Sequence, residues 1–219
     1  MAGPAHVEPH GTPLPIGDSV LEVHKLSVSD QDNNAYLLTD PATGAQLLVD
    51  AADDAEALLA LVRAHGDGEL TAVLTTHQHW DHHRALPALV AATGAQVLAG
   101  LQDADALPSP VDRRLVHGDT ITLGAHRLDV IALRGHTPGS VALAARTGSD
   151  TLLLTGDSLF PGGVGRTGSP SDFTSLLEDV EARLFAIYPD AAAVHPGHGD
   201  STTLGAERPA LEEWRGRGW

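Results

Sequence analysis

Four metal-binding side chains fall within six positions in the run Thr75-Thr76-His77-Gln78-His79-Trp80-Asp81-His82. Histidine is abundant, at 13 of 219 residues, but the histidines are dispersed and do not form a tag. At this composition a His-x-His-x-Asp-His pattern arises by chance in roughly 0.004 of such chains. In an extended stretch His77 and His79 point the same way, toward one ion, and a tight turn after them carries Asp81 and His82 to a neighbouring position. Imidazole suits zinc, and carboxylate completes a hard, charged site.

Two histidines do not close a catalytic zinc site, so further ligands are expected downstream. Three candidates sit beside glycine at the ends of apolar stretches: His136 in Gly135-His136-Thr137-Pro138-Gly139, Asp157 in Gly156-Asp157-Ser158, and His198 in Pro196-Gly197-His198-Gly199. Loops at the ends of core strands are where a rigid scaffold holds functional groups. Glycine beside each residue lets the backbone approach closely. His83 and His195 each neighbour a proposed ligand and are candidates for supporting roles. His6, His10, His24, His65, His117 and His126 read as surface residues. Trp80 serves either as a pocket wall or as plain packing. Arg166, in the glycine-rich stretch Pro161-Gly162-Gly163-Val164-Gly165-Arg166-Thr167, is a candidate anchor for a substrate carboxylate. The competing reading is a surface arginine paired with a carboxylate.

These residues need strands that end together. Strands are predicted at 21–28, 34–39, 46–49, 70–75, 96–99, 120–123, 127–133, 141–145, 151–154 and 192–195, from alternating or continuous apolar runs bounded by turn residues. The turn Asp40-Pro41-Ala42-Thr43-Gly44 makes 34–49 a hairpin. Helices are predicted at 53–65, 84–93, 171–188 and 204–214. Strands followed by a helix, twice over, imply two packed sheets with helices outside. Residues 1–18 carry four prolines and three glycines with no apolar run. They read as a flexible lead-in to a single domain over 19–219.

Composition excludes several chemistries. The chain has no cysteine, so disulfides, iron–sulfur clusters and thiol nucleophiles are out. Thirteen Lys and Arg against 29 Asp and Glu give a formal net charge of −16, which repels nucleic acid. With Lys25 the only lysine, no polybasic segment can dock on anionic lipid. No apolar stretch reaches membrane-spanning length and no signal peptide is apparent, so the expected location is cytoplasmic.

The set THQHWDH, GHTPGS, LLTGDSLF and PGHG, in this order, resembles the metallo-β-lactamase superfamily, and Asn33 to Leu38 resembles its early strand. The likeness covers about residues 20 to 215. It implies an α/β (α+β) fold, a four-layer αββα sandwich with metals in a cleft at one edge. It also implies that His77, His79 and His136 bind a first metal, that Asp81, His82 and His198 bind a second, and that Asp157 bridges them. Asp157 stands where true β-lactamases usually carry cysteine or serine, which argues against antibiotic hydrolysis. Phe160 stands where lactone hydrolases commonly carry tyrosine, which argues against a lactonase.

The run Gly156 to Thr167 is similar to the glyoxalase II and persulfide dioxygenase branch, where a basic residue at the position of Arg166 helps hold the thiol tripeptide. Gly168 replaces an aromatic contact of glyoxalase II, and 21 residues follow His198, short of that branch's helical extension. A thioester is therefore the expected substrate, with glutathione unsupported as its carrier.

The expected enzyme is a binuclear zinc hydrolase of a small-molecule thioester or ester, with an anionic thioester the candidate partner. A water shared by two Zn2+ ions about 3.5–4 Å apart loses its proton near pH 7 and attacks the carbonyl. Asp81 and Asp157 orient it, and a thiolate leaves without a strong general acid. The alternatives are one Fe2+ in a persulfide dioxygenase and a non-catalytic metal-binding or ligand-sensing module.

Overall fold

The computed structural model describes residues 5–148 and 150–218. One sheet runs, in spatial order, β1 (Leu14–Pro15), β2 (Glu22–Ser27), β3 (Asn34–Thr39), β4 (Gln46–Val49), β5 (Leu70–Thr75), β6 (Gln96–Gly100) and β7 (Arg113–Leu115). The other contains β8 (Thr120–Leu123), β9 (His126–Ala132), β10 (Val141–Thr147), β11 (Asp150–Gly156), β14 (Ala193–Pro196) and β15 (Thr202–Thr203), in the order β15-β14-β11-β10-β9-β8. A small hairpin of β12 (Leu159–Phe160) and β13 (Gly163–Val164) follows β11. The helices are α1 (Ala55–Ala64), α2 (Leu86–Thr93), α3 (Pro170–Val180), α4 (Leu204–Glu207) and α5 (Leu211–Arg217).

Strand alternation builds the layers. In β3, Tyr36 and Leu38 face the second sheet while Ala35 and Leu37 face the helices; in β10, Val141, Leu143 and Ala145 face the first sheet while Ala142 and Ala144 face away. Three apolar layers result. One lies between the sheets, one joins the first sheet to α1 and α2, and one joins the second sheet to α3 and α5. This is the αββα sandwich expected from the sequence. Both faces of the central strands are buried, which explains their near-continuous apolar runs.

The strands β4, β5 and β6 are parallel, as are β11 and β14. Parallel strands finish at the same edge, so the loops after them converge without long excursions. Backbone hydrogen bonds from Val141 N to Thr76 O (2.9 Å) and from Asn34 N to Gly197 O (2.8 Å) hold the two sheets together at this edge.

Helix boundaries depart from expectation where caps decide them. α1 begins after Asp54, whose carboxylate accepts from Ala57 N, and not at Asp53. Ser169 caps α3 through Asp172 N, so the helix starts before Ser171. It ends at Val180 and continues as a π-turn over Glu181–Phe185. Pro209 lacks an N–H, and the helix expected over 204–214 is split there into α4, a 3-10 turn and α5. Residues 1–4 of the expected lead-in lie outside the described residues. The remainder is tied down: Val7 is buried, β1 pairs with β2, and the fully buried Lys25 donates to Ala5 O at 2.8 Å.

Candidate metal centre

All seven candidate ligands converge on the shared edge of the sandwich. His77 and His79 follow β5, Asp81 and His82 sit in the 3-10 turn Trp80–His82, and His136 lies just beyond β9. Asp157 follows β11 and His198 follows β14. Their ligand atoms form three groups with mutual distances under 4.8 Å: His77, His79 and His136; Asp81, His82 and His198; and His77, His82 and Asp157.

The spacings are close to those of ligands on a shared metal. Two nitrogens on one tetrahedral zinc lie about 3.4 Å apart. His77 Nε2 is 3.1 Å from His79 Nδ1 and 3.2 Å from His136 Nε2. His82 Nε2 is 3.2 Å from His198 Nε2, and Asp81 Oδ2 is 3.3 Å from the same His198 atom. Asp157 stands between the groups, with Oδ2 3.6 Å from both His136 Nε2 and His198 Nε2. Asp157 Oδ1 is buried and has no hydrogen-bond partner. Buried polar atoms are otherwise almost always satisfied, and here the oxygen has only the long 3.5 Å ion-pair contact with His82 Nε2, which leaves it available to a cation.

The outer nitrogens of four imidazoles are fixed from behind. His82 Nδ1 donates to Asp50 Oδ2 (2.9 Å), His136 Nδ1 to Arg166 O (2.6 Å), His198 Nδ1 to Gln31 O (2.9 Å) and His77 Nδ1 to Thr76 Oγ1 (3.1 Å). Each bond orients the ring so that its inner nitrogen faces the cluster and could ligate a cation, which at His82 would replace a proton. Asn33 Nδ2 holds Asp81 Oδ2 at 3.1 Å.

Electrostatics favour a cation here. Burial opposes charge on His82, but Asp50 and Asp157 outweigh it and raise its pKa to about 10. His77 goes the other way: burial, joined by His82, His136 and His79, holds it well below its ordinary range. Burial also lowers His136, and it opposes the ionised Asp157, although His82 and the other histidines still hold that carboxyl low. One proton cannot satisfy carboxylates that reach both groups, whereas a cation in each group would.

Three residues of the site escaped the sequence reading. Asp50, at φ 60° just after β4, binds Thr76 N (2.7 Å) and Thr76 Oγ1 (2.8 Å) besides His82. Asp103 is fully buried and joins the two histidine loops, taking Gln78 N at 2.9 Å and Gly139 N at 2.7 Å. Asn33 is the third. An aspartate following an apolar strand was the available signal for Asp50, and Asn33 heads the run that resembles the family's early strand; nothing marked Asp103.

Of the supporting candidates, His83 Nε2 bonds to Gln78 O (3.0 Å) and so braces the first loop. His195 is buried and bonds to Ser201 Oγ (2.7 Å), away from the ligand groups. Burial and Lys25 lower its pKa to about 3. His6, His10 and His117 are exposed as expected, but His24, His65 and His126 are half-buried. Trp80 is 60% exposed, with the Arg84 guanidinium 4.0 Å above its ring. Arg166 is exposed and pairs with no carboxylate among the described residues. It lines a cleft of about 390 Å3 with Phe173 and Arg217, and its own carbonyl anchors His136. No helix among the described residues is long and apolar enough to cross a membrane.

Residues 29–198 match the family described as the Metallo-beta-lactamase superfamily. A hydroxyacylglutathione hydrolase of Jannaschia sp. (strain CCS1) is 42% identical over 170 residues, covering 77% of this chain and 62% of that protein. The chain thus spans less than two thirds of that relative's length. Among solved structures, ETHE1 from Myxococcus xanthus superposes with a TM-score of 0.74 at 30% identity, over 85% of this chain and 81% of the other. A protein solved in a di-iron-bound form gives a TM-score of 0.71 at 33% identity, over 84% and 96%.

Proposed function

We propose that this chain, which belongs to the metallo-beta-lactamase superfamily, is a binuclear metal hydrolase that cleaves a small anionic thioester. The observation that carries this reading is the placement of Asp157, 3.6 Å from a histidine of each group, as a carboxylate shared between two ions would be. The similarity to hydroxyacylglutathione hydrolases supports the thioester.

His77, His79 and His136 would hold one ion, Asp81, His82 and His198 the other, and Asp157 both. When bound, two divalent ions would supply a water ionised near neutral pH and would polarise the scissile carbonyl. The chain supplies the rest. Asp50, Gln31 and the Arg166 carbonyl keep imidazole lone pairs inward, and Asn33 holds Asp81 so that its carboxylate can orient the attacking water. Arg166 and Arg217 line one cleft, and the Arg166 carbonyl also holds His136, so these arginines would take the carboxylates of the substrate's thiol portion. The departing thiolate is stable enough to leave without a proton donor.

Elemental analysis of gently purified protein, followed by assay on a hydroxyacylglutathione thioester, tests the reading. Two equivalents of zinc at the paired centre, beyond any held elsewhere on the chain, with thioester turnover are expected. Full loading without turnover of any thioester would overturn the hydrolase. A di-iron-bound structure at 33% identity favours iron as the second metal to measure. One iron per chain with oxygen uptake on a persulfide would move the assignment to an oxidation.

A further inference from the structure

A second set of metal-ligating side chains lies at the far end of β2. Glu22 and His24 are two residues apart on that strand and so share a face. His65 closes α1 beside them, and one ligand atom from each of the three lies within 4.8 Å of the others. The metal centre is near the other end of β2, where Ser27 pairs with Asn34, about 16 Å along the strand from Glu22.

Among the described residues, none of these three side chains takes part in a hydrogen bond. The imidazoles of His24 and His65 stack with centroids 3.8 Å apart, yet no hydrogen bond joins the rings. Glu22 Oε2 stops 3.9 Å from His65 Nδ1, beyond hydrogen-bond reach. His24 Nδ1 is buried and has no partner. All three line a cleft of about 360 Å3 beside Pro15 and Gly17.

The backbone beneath them is rigid. The fully buried Gln46 donates to both Val62 O (3.0 Å) and His65 O (2.7 Å), pinning the last turn of α1 to the sheet. His65 stands at the C-terminus of that helix, where the aligned peptide dipoles favour positive charge. A divalent cation held by the two imidazoles and the carboxylate would meet that preference.

We propose that Glu22, His24 and His65 form a further site for a zinc-class divalent cation, separate from the paired centre and clamping α1 to β2. Two imidazoles and one carboxylate select zinc over calcium or magnesium. Nitrogens on one zinc lie about 3.4 Å apart, so binding draws in the exposed carboxylate and opens the ring stack.

Titration of metal-free protein with Zn2+ against a competing chelating dye gives the test. The wild-type chain should bind one equivalent more than His24→Ala or His65→Asn, whatever the number held at the paired centre. Glu22→Gln, at a position that cannot unfold the strand, should weaken that one equivalent at least tenfold. Zinc should raise the melting temperature further for wild type than for these variants. His117→Ala, which removes a solitary exposed histidine, should change nothing. Equal zinc equivalents in wild type, His24→Ala and His65→Asn would overturn the proposal, as would an identical loss in His117→Ala.

Discussion

Gly197→Ala tests how closely the centre is packed. A Cβ at this position would lie 2.3 Å from Asp157 Oδ1 and 2.6 Å from His82 Cε1, with ordinary contact beginning at 3.4 Å. Relief therefore needs a displacement of about 1 Å. Asp157 has little freedom to move, since its side chain is 14% exposed and wedged between His82, His136 and His198. A misplacement of about 1 Å at a reacting centre costs about 100-fold in rate. The variant should thus lose about 100-fold in thioester kcat/KM. Its metal content should fall, because the displaced carboxylate is the one shared by both groups. Global stability should fall as well, since Gly197 is buried and its backbone bonds to Asn34 and Gly156 tie the two sheets together, so metal content and rate are read on protein shown to be folded. Gly216→Ala is the control: nothing lies within 4 Å of a Cβ there, and the helix should gain about 1 kcal/mol. A Gly197→Ala protein with full metal content and a rate within twofold of wild type would refute the reasoning. It would mean that the Pro196–Gly199 turn yields outward.

Three other outcomes follow from the same contacts. Asp50→Asn removes the charge that orients His82, and metal affinity should drop about 10- to 100-fold in a competition titration. Arg166→Ala should raise KM for anionic thioesters about 10- to 100-fold, equivalent to about 1.5–3 kcal/mol of charged hydrogen bonding, without altering metal content. Neutral esters should be nearly unaffected; equal losses on both would mean that Arg166 only shapes the loop. The buried His195, held neutral with a pKa of about 3 against 6.5 when unfolded, makes the unfolded chain the stronger proton binder between those values. Stability should fall as pH drops from 6.5 toward 3, by up to about 5 kcal/mol from this group, and His195→Gln should flatten that limb in denaturant titrations.

The seven converging residues were legible because each sits beside glycine or at a strand end, and because four of them crowd into six positions. The sandwich was legible because continuous apolar runs such as Ala35–Leu38 demand burial on both faces. Asp50 and Asp103 were not, since a single aspartate carries no pattern until the chain closes around it. Glu22, His24 and His65 were invisible for another reason. Their convergence depends on Gln46 pinning the end of α1 to the sheet, a contact between residues distant in sequence. The expected lead-in shows the limit of composition: prolines and glycines at 9–17 do not reveal that Lys25 is buried beneath Ala5.

Lys25 and the aspartates also show how an acidic chain can receive an anionic substrate. The formal charge of −16 repels such a molecule over most of the surface. At the shared edge, Asp50, Asp81 and Asp157 add three negative charges within reach of the histidines. Two divalent ions would offset those charges and that of the ionised water, leaving the centre near neutral inside a negative shell. Arg166 and Arg217 add positive charge along the adjoining cleft. The carboxylates thus have a double role in the proposed enzyme. They draw the cations in, and with the cations in place they no longer repel the substrate. Metal loading and substrate recognition are then one electrostatic event. The sole lysine contributes from behind, its ammonium 2.6 Å from the carbonyl of Gly199, next to His198. Burial lowers the Lys25 pKa to about 8, so the charge under the His198 loop persists at neutral pH. That positive group braces the turn without occupying the cleft, and leaves the cleft to the metals and the arginines.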